Sequence, residues 1–151
     1  MPLNVAGLAL LDLDDPVSPS ATAAQHSIPS LTGRWRVVHN VETSERDRYV
    51  GLKIEFLFSL TEFGGAIVGN GRKIGVNERV AEEEEMSLLE ISGEIRSNEV
   101  KLSLLERRRQ DMEHSLIGEI IWQSVTADHL AGHFQVDVGG TRGRSEAFRM
   151  R

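Results

Sequence analysis

Cysteine is absent from the 151 residues, which excludes disulfides and thiolate ligands and leaves the redox compartment open. Basic residues are missing from positions 1–30, where Asp12, Asp14 and Asp15 are the only charged side chains. The net charge of −6 argues against nucleic acid, because that partner demands a basic patch to displace counterions. No run approaches the roughly 18 apolar residues of a membrane span. Catalytic signatures are missing as well. There is no Gly-x-Ser-x-Gly, and Ser115 beside His114 points to the opposite face of a strand. Gly69 and Gly71 are not followed by the Lys-Ser/Thr and helix of a phosphate loop. The five histidines are scattered. His129 and His133 would chelate on a helix but lie about 13 Å apart on a strand. No metal and no cofactor is expected.

The N-terminus carries mixed signals. Residues 3–11 are apolar and Ala21-Thr22-Ala23 imitates a small-residue cleavage site. A signal peptide needs a basic n-region and an uninterrupted apolar core, and three aspartates interrupt this one. A cytoplasmic location is expected ahead of a secreted or periplasmic one, which would require an atypical or mis-started signal. Residues 12–30 are rich in Asp, Pro, Ser, Ala and Thr, a composition that cannot offset ordering entropy by apolar burial. The expected organisation is a flexible leader over 1–30 and one domain over 31–151.

What the chain does have is one repeated word: apolar, any, Gly, any, apolar or Gly. Its centres are Gly69, Gly93, Gly118 and Gly132. A recurrent glycine within strands marks bends, bulges or close backbone approach, which closing a sheet into a small barrel requires. Period-2 alternation begins at Leu31 and helical periodicity is nowhere sustained. The pattern predicts eight strands, over 33–42, 52–62, 66–73, 87–95, 100–106, 113–124, 130–138 and 144–150. A two-residue turn at Ser97-Asn98 would pair Ile95 with Val100, and one at Gly64-Gly65 would pair Leu60 with Gly69. Both pairings keep like faces together. The fold expected is an all-β, antiparallel, up-and-down eight-stranded barrel.

Alternate loops of such a barrel share an end. Those after the second, fourth and sixth strands are short, whereas 43–51, 74–86, 107–112 and 139–143 are longer and charged. The long-loop end should be the mouth, where small barrels bind. Projected inward parity puts His39, Lys73, Glu106, His114 and Glu146 in a polar ring there. Below it lies an apolar lining of Val37, Phe56, Phe58, Leu89, Ile91, Leu104, Leu116 and Phe134. Arg107, Arg108, Arg109, Arg142 and Arg144 could form an anion-attracting patch. Val38, Leu57, Leu105, Ile117 and Ile121 fall on the outward face, where a contiguous patch would favour a homodimer.

Gly33-Arg34-Trp35 opening the first strand and Arg149 near the end of the last resemble the closed-end signature of lipocalin-like (calycin) barrels. The resemblance covers 31–151 in layout and is echoed by Thr126-Ala127-Asp128. It implies that Trp35 fills the base, that Arg149 crosses it in a cation–π contact, and that the pocket takes a small hydrophobic molecule. The chain also resembles a scattered group of bacterial barrel domains without assigned function. That likeness rests on Gly33-Arg34-Trp35, Gly69-Asn70-Gly71-Arg72-Lys73, Gly93-Glu94-Ile95 and Gly132-His133-Phe134.

The reading that follows is a barrel binding a small apolar or amphipathic ligand. Two alternatives stand beside it. One is a filled barrel serving protein–protein interaction or self-association. The other is a barrel enzyme using His39 or His114 with Glu106 or Glu146 as a general acid–base pair. The sequence leans away from an enzyme.

Overall fold

The computed structural model describes residues 28–108, 111–137 and 139–151, without the side chains of residues 84, 108 and 111–115. The strands are β1 (Gly33–Thr43), β2 (Lys53–Phe63), β3 (Ala66–Val76), β4 (Arg79–Val80), β5 (Ser87–Arg96), β6 (Glu99–Arg108), β7 (Asp111–Val125), β8 (His129–Val136) and β9 (Arg142–Arg149). Eight of them form a closed antiparallel barrel in which each pairs with its sequence neighbours and β9 pairs with β1. The two-residue β4 only folds back on the end of β3. The expected architecture is therefore present. Among the described residues, no helix is long and apolar enough to cross a membrane.

Register follows side-chain chemistry. In β2, Phe56, Phe58 and Leu60 are buried while Ser59 and Thr61 are exposed. Ser97 and Asn98 both have positive φ (53° and 65°), as a tight two-residue hairpin requires. They pair Ile95 with Val100, and the turn at Gly64 and Gly65 pairs Leu60 with Gly69. One expected loop is largely strand. Residues 107–108 extend β6 and 111–112 open β7, across a register shift after Arg107.

The four repeated glycines all fall on the inward parity, opposite Leu60, Leu102, Leu104 and Trp122 respectively. A Cβ at Gly69, Gly93 or Gly132 would overlap the carbonyl oxygen of Ser59, Lys101 or Ile121 on the adjacent strand. Gly118 is roomier, its nearest neighbour lying at 3.3 Å. Gly132→Ala should therefore destabilise by about 1–3 kcal/mol, as overpacking does, and Gly118→Ala by less. Urea denaturation of both variants checks this; equal losses would show that backbone crowding does not set the cost.

The base of the barrel is solid. Trp35, Phe58, Leu102, Ile120, Trp122 and Leu130 are fully buried there. The Trp122 indole donates to Ser145 Oγ at 3.0 Å, and the Trp35 indole donates to the Leu31 carbonyl at 2.9 Å. The Arg149 guanidinium lies 4.4 Å from the centre of the Trp35 ring. Its three nitrogens donate to the carbonyls of Ala127, Thr32 and Ser30 at 2.7, 3.0 and 2.7 Å. Gly33, with φ of 140°, makes room: a Cβ there would stand 3.0 Å from Arg149 Nη1. Residues 1–27 of the expected leader lie outside the described residues. Ile28 and Leu31 are buried in the same core as Trp35.

The outward apolar residues do not join into one face. Leu105 and Ile117 are cross-strand neighbours on β6 and β7, while Val38 and Leu57 lie on β1 and β2 across the barrel. Val38 is buried rather than exposed, between Glu55 and Glu146 of the flanking strands.

Candidate functional site

The upper half of the barrel is hollow. A cavity of about 400 Å³ opens at the mouth, walled by Val41, Ile54, Phe56, Leu104, Leu116 and Phe134, with Arg46, Tyr49, Lys73, Glu85 and Glu106 also lining it. The long-loop end is thus the open one. Gly118 contributes no side chain to this wall, which leaves space that a larger inward residue would occupy.

His39 is the most unusual group in the cavity. It projects inward from β1, cross-strand from Ile54 and Ser145. Its ring stacks on Phe134 with centroids 4.0 Å apart and planes 6° from parallel. It meets Phe56 edge-on at 5.1 Å. Nε2 is buried and has no hydrogen-bond partner among the described residues. Burial first, and the positive Lys73 second, push the imidazole pKa down to about 3, so His39 is neutral at ordinary pH.

Lys73 faces inward on the regular alternation of β3, and a bulge follows it. The register shift between Glu55 and Phe56 of β2 sets Lys73 opposite Phe56 and Val76 opposite Ile54, so both residues face inward despite their odd separation. Lys73 Nζ lies 3.3 Å from Glu106 Oε2, with each side chain 14% exposed. The same oxygen accepts a 2.6 Å bond from the buried Ser87 hydroxyl. This charge pair is internally compensated, which lowers its value as a ligand anchor.

The rim is different. Arg46 and Arg48 donate to the Tyr49 hydroxyl at 3.4 and 3.3 Å, and both guanidiniums lie over the Tyr49 ring. These hydrogen bonds, chiefly that from Arg48, lower the Tyr49 pKa. Neither arginine forms an ion pair among the described residues. Across the mouth, Arg79 clamps Glu85 through two bonds of 2.6 and 2.7 Å. That clamp, and the Glu82 backbone N–H, hold the Glu85 carboxyl down at about 2.

Of the residues projected to the mouth, His39, Phe56, Lys73, Glu106 and Phe134 line the cavity together. Phe58 is fully buried and belongs to the packed layer beneath. The position of Glu146 needs correction: it is on the outside of β9, bonded to His129 Nε2 at 3.0 Å. Ser145 and Ala147, both fully buried, hold the inward parity instead. His39 and Glu146 therefore lie on opposite sides of the wall and cannot form an acid–base pair. The side chain of His114 lies outside the described residues. The arginine patch is not assembled at the mouth either: Arg107 pairs outward with Glu90 at 3.3 Å, and Arg142 and Arg144 are exposed on β9. Arg109 and the Arg108 side chain lie outside the described residues. Arg46, Arg48 and Tyr49 were not singled out, since loop residues carry no periodicity to place them.

No protein-family profile matches the chain, and no curated protein does. Among solved structures, it is similar to a de novo designed, fluorescence-activating β-barrel, with a TM-score of 0.57 and 13% identity. The match covers 80% of this chain and 94% of that one. At this identity the likeness shows the fold alone.

Proposed function

We propose that the chain is a lipocalin-like barrel that binds one small amphipathic anion in the cavity at its mouth. The carrying observation is the contrast between the two halves of one interior. At the base large side chains are fully buried, while the top leaves about 400 Å³ of space walled by apolar side chains and rimmed by charged ones. That volume lies within the roughly 300–1,000 Å³ of small-molecule pockets. An apolar body would replace water against Phe56, Leu104, Leu116 and Phe134, and Arg46 and Arg48, in no ion pair among the described residues, would receive a carboxylate or phosphate at the rim. The lipocalin-like assignment is supported by Arg149 crossing Trp35 at the closed end. The fluorescence-activating design of the same fold accords with a binding role.

The test is native mass spectrometry of the purified full-length chain, followed by titration with a fluorescent medium-chain fatty acid. A retained adduct of a few hundred daltons, or saturable one-to-one probe binding, is expected. Leu116→Trp, which fills the cavity from its wall, should weaken the probe at least tenfold. Failure of the folded protein to bind, or binding indifferent to Leu116→Trp, would refute the reading.

A further inference from the structure

A neutral imidazole always presents one N–H donor and one bare acceptor nitrogen. His39 lines the cavity, yet it makes no hydrogen bond among the described residues, and its Nε2 is buried without a partner among them. Native proteins leave few buried polar atoms unpaired. A residue serving only to pack between Phe56 and Phe134 would be better as phenylalanine, which stacks equally well and has no unmet polar group. The polar atoms nearest in function are already engaged. Lys73 pairs with Glu106, and Ser87 donates to that same carboxylate.

We propose that the ligand carries a hydroxyl at the buried end of its apolar body, hydrogen-bonded to the His39 imidazole. This deepens the binding function proposed above and rests on it. The chemistry around His39 selects the group. A charged group of either sign would lose its hydration beside an aromatic stack whose nearest ions, Lys73 and Glu106, already neutralise each other. A carboxylate would forfeit Arg46 and Arg48 at the rim and be drawn away from the neutral imidazole toward them. A hydroxyl both donates and accepts, so it pairs with whichever ring nitrogen faces it. The ligand class is thus a hydroxylated carboxylate or phosphate: anionic at the rim, apolar in the middle, neutral and hydrogen-bonding at depth.

Two matched probe pairs test this by calorimetry on the full chain: dodecanoate against 12-hydroxydodecanoate, and 2-naphthoate against 6-hydroxy-2-naphthoate. In at least one pair the hydroxylated member should bind about tenfold more tightly. His39→Phe, which preserves the stack on Phe134, should abolish or reverse that preference. His39→Gln, which can still donate and accept, should retain part of it and serves if the Phe variant fails to fold. Binding of the probes without any preference in the wild type would overturn the hydroxyl assignment and leave the binding function standing. No binding of any of the four to folded protein would overturn both.

Discussion

Trp35→Ala is expected to lower the unfolding free energy by about 3–5 kcal/mol, the range for truncating a buried aromatic side chain. Three losses combine. The ring is fully buried at the base, so its removal opens a cavity that the strands around it cannot close without breaking register. The Leu31 carbonyl loses the indole donor, leaving a buried acceptor unpaired. Arg149 loses the aromatic face beneath its guanidinium but stays fixed by three backbone carbonyls, so it cannot swing in to fill the space. The corresponding fall in Tm is roughly 10–20 °C. Trp122, the other tryptophan, remains as a fluorescence reporter for denaturant titration of the variant. An unchanged Tm would refute the role of Trp35 as the plug of the closed end. Arg149→Lys should also weaken the base, since an ammonium cannot serve three divergent carbonyls and stack at once.

The same base shows what the sequence could and could not reveal. Alternation located every barrel strand because one face of each is apolar and turned to the interior, and a slip of one residue would expose it. Parity in β9 was harder to read. Phe148 is the largest apolar residue there and invites an inward assignment, which would carry Glu146 inward with it. Yet Phe148 lies outside, beneath the Arg36 guanidinium at 4.9 Å. The inward positions are the small Ser145 and Ala147, beside Trp35 of the adjacent β1 and Trp122 of β7, whose indole reaches Ser145. Inward Arg149 and inward Glu146 are also mutually exclusive on one unbroken strand, being three residues apart. A single extra residue in β3 had no sequence signature, so the entry of Val76 into the lining was invisible. Whether the barrel was hollow was equally hidden. That depends on how far rings such as His39 and Phe134 lie flat against each other, and composition does not contain it.

Stability should fall as pH drops below about 6.5, and His39 should be the cause. In the unfolded chain its pKa is the ordinary 6.5, and in the folded protein it is about 3. Below 6.5 the unfolded state takes up a proton that the folded state refuses, so acidification draws the equilibrium toward unfolding. The contribution is complete above pH 6.5 and is lost progressively as pH falls toward 3. Its limiting slope is about 1.4 kcal/mol per pH unit. Glu85 acts in the same direction, but only below its own ordinary value of 4.5. Over the interval from 6.5 to 4.5 the histidine contributes an expected loss of about 2 kcal/mol, which the difference between wild type and variant isolates. Urea unfolding at half-unit steps, for wild type and His39→Phe, measures the difference. Wild type should decline through this interval and the variant should lack that component. Identical slopes would mean that His39 takes up its proton in the folded state, which would require a polar partner or water at the ring. With a ligand in the cavity the ring is still buried and still beside Lys73, the two causes that keep it neutral. Bound wild type should accordingly keep its ligand between pH 7 and 5, even while the unliganded chain loses stability.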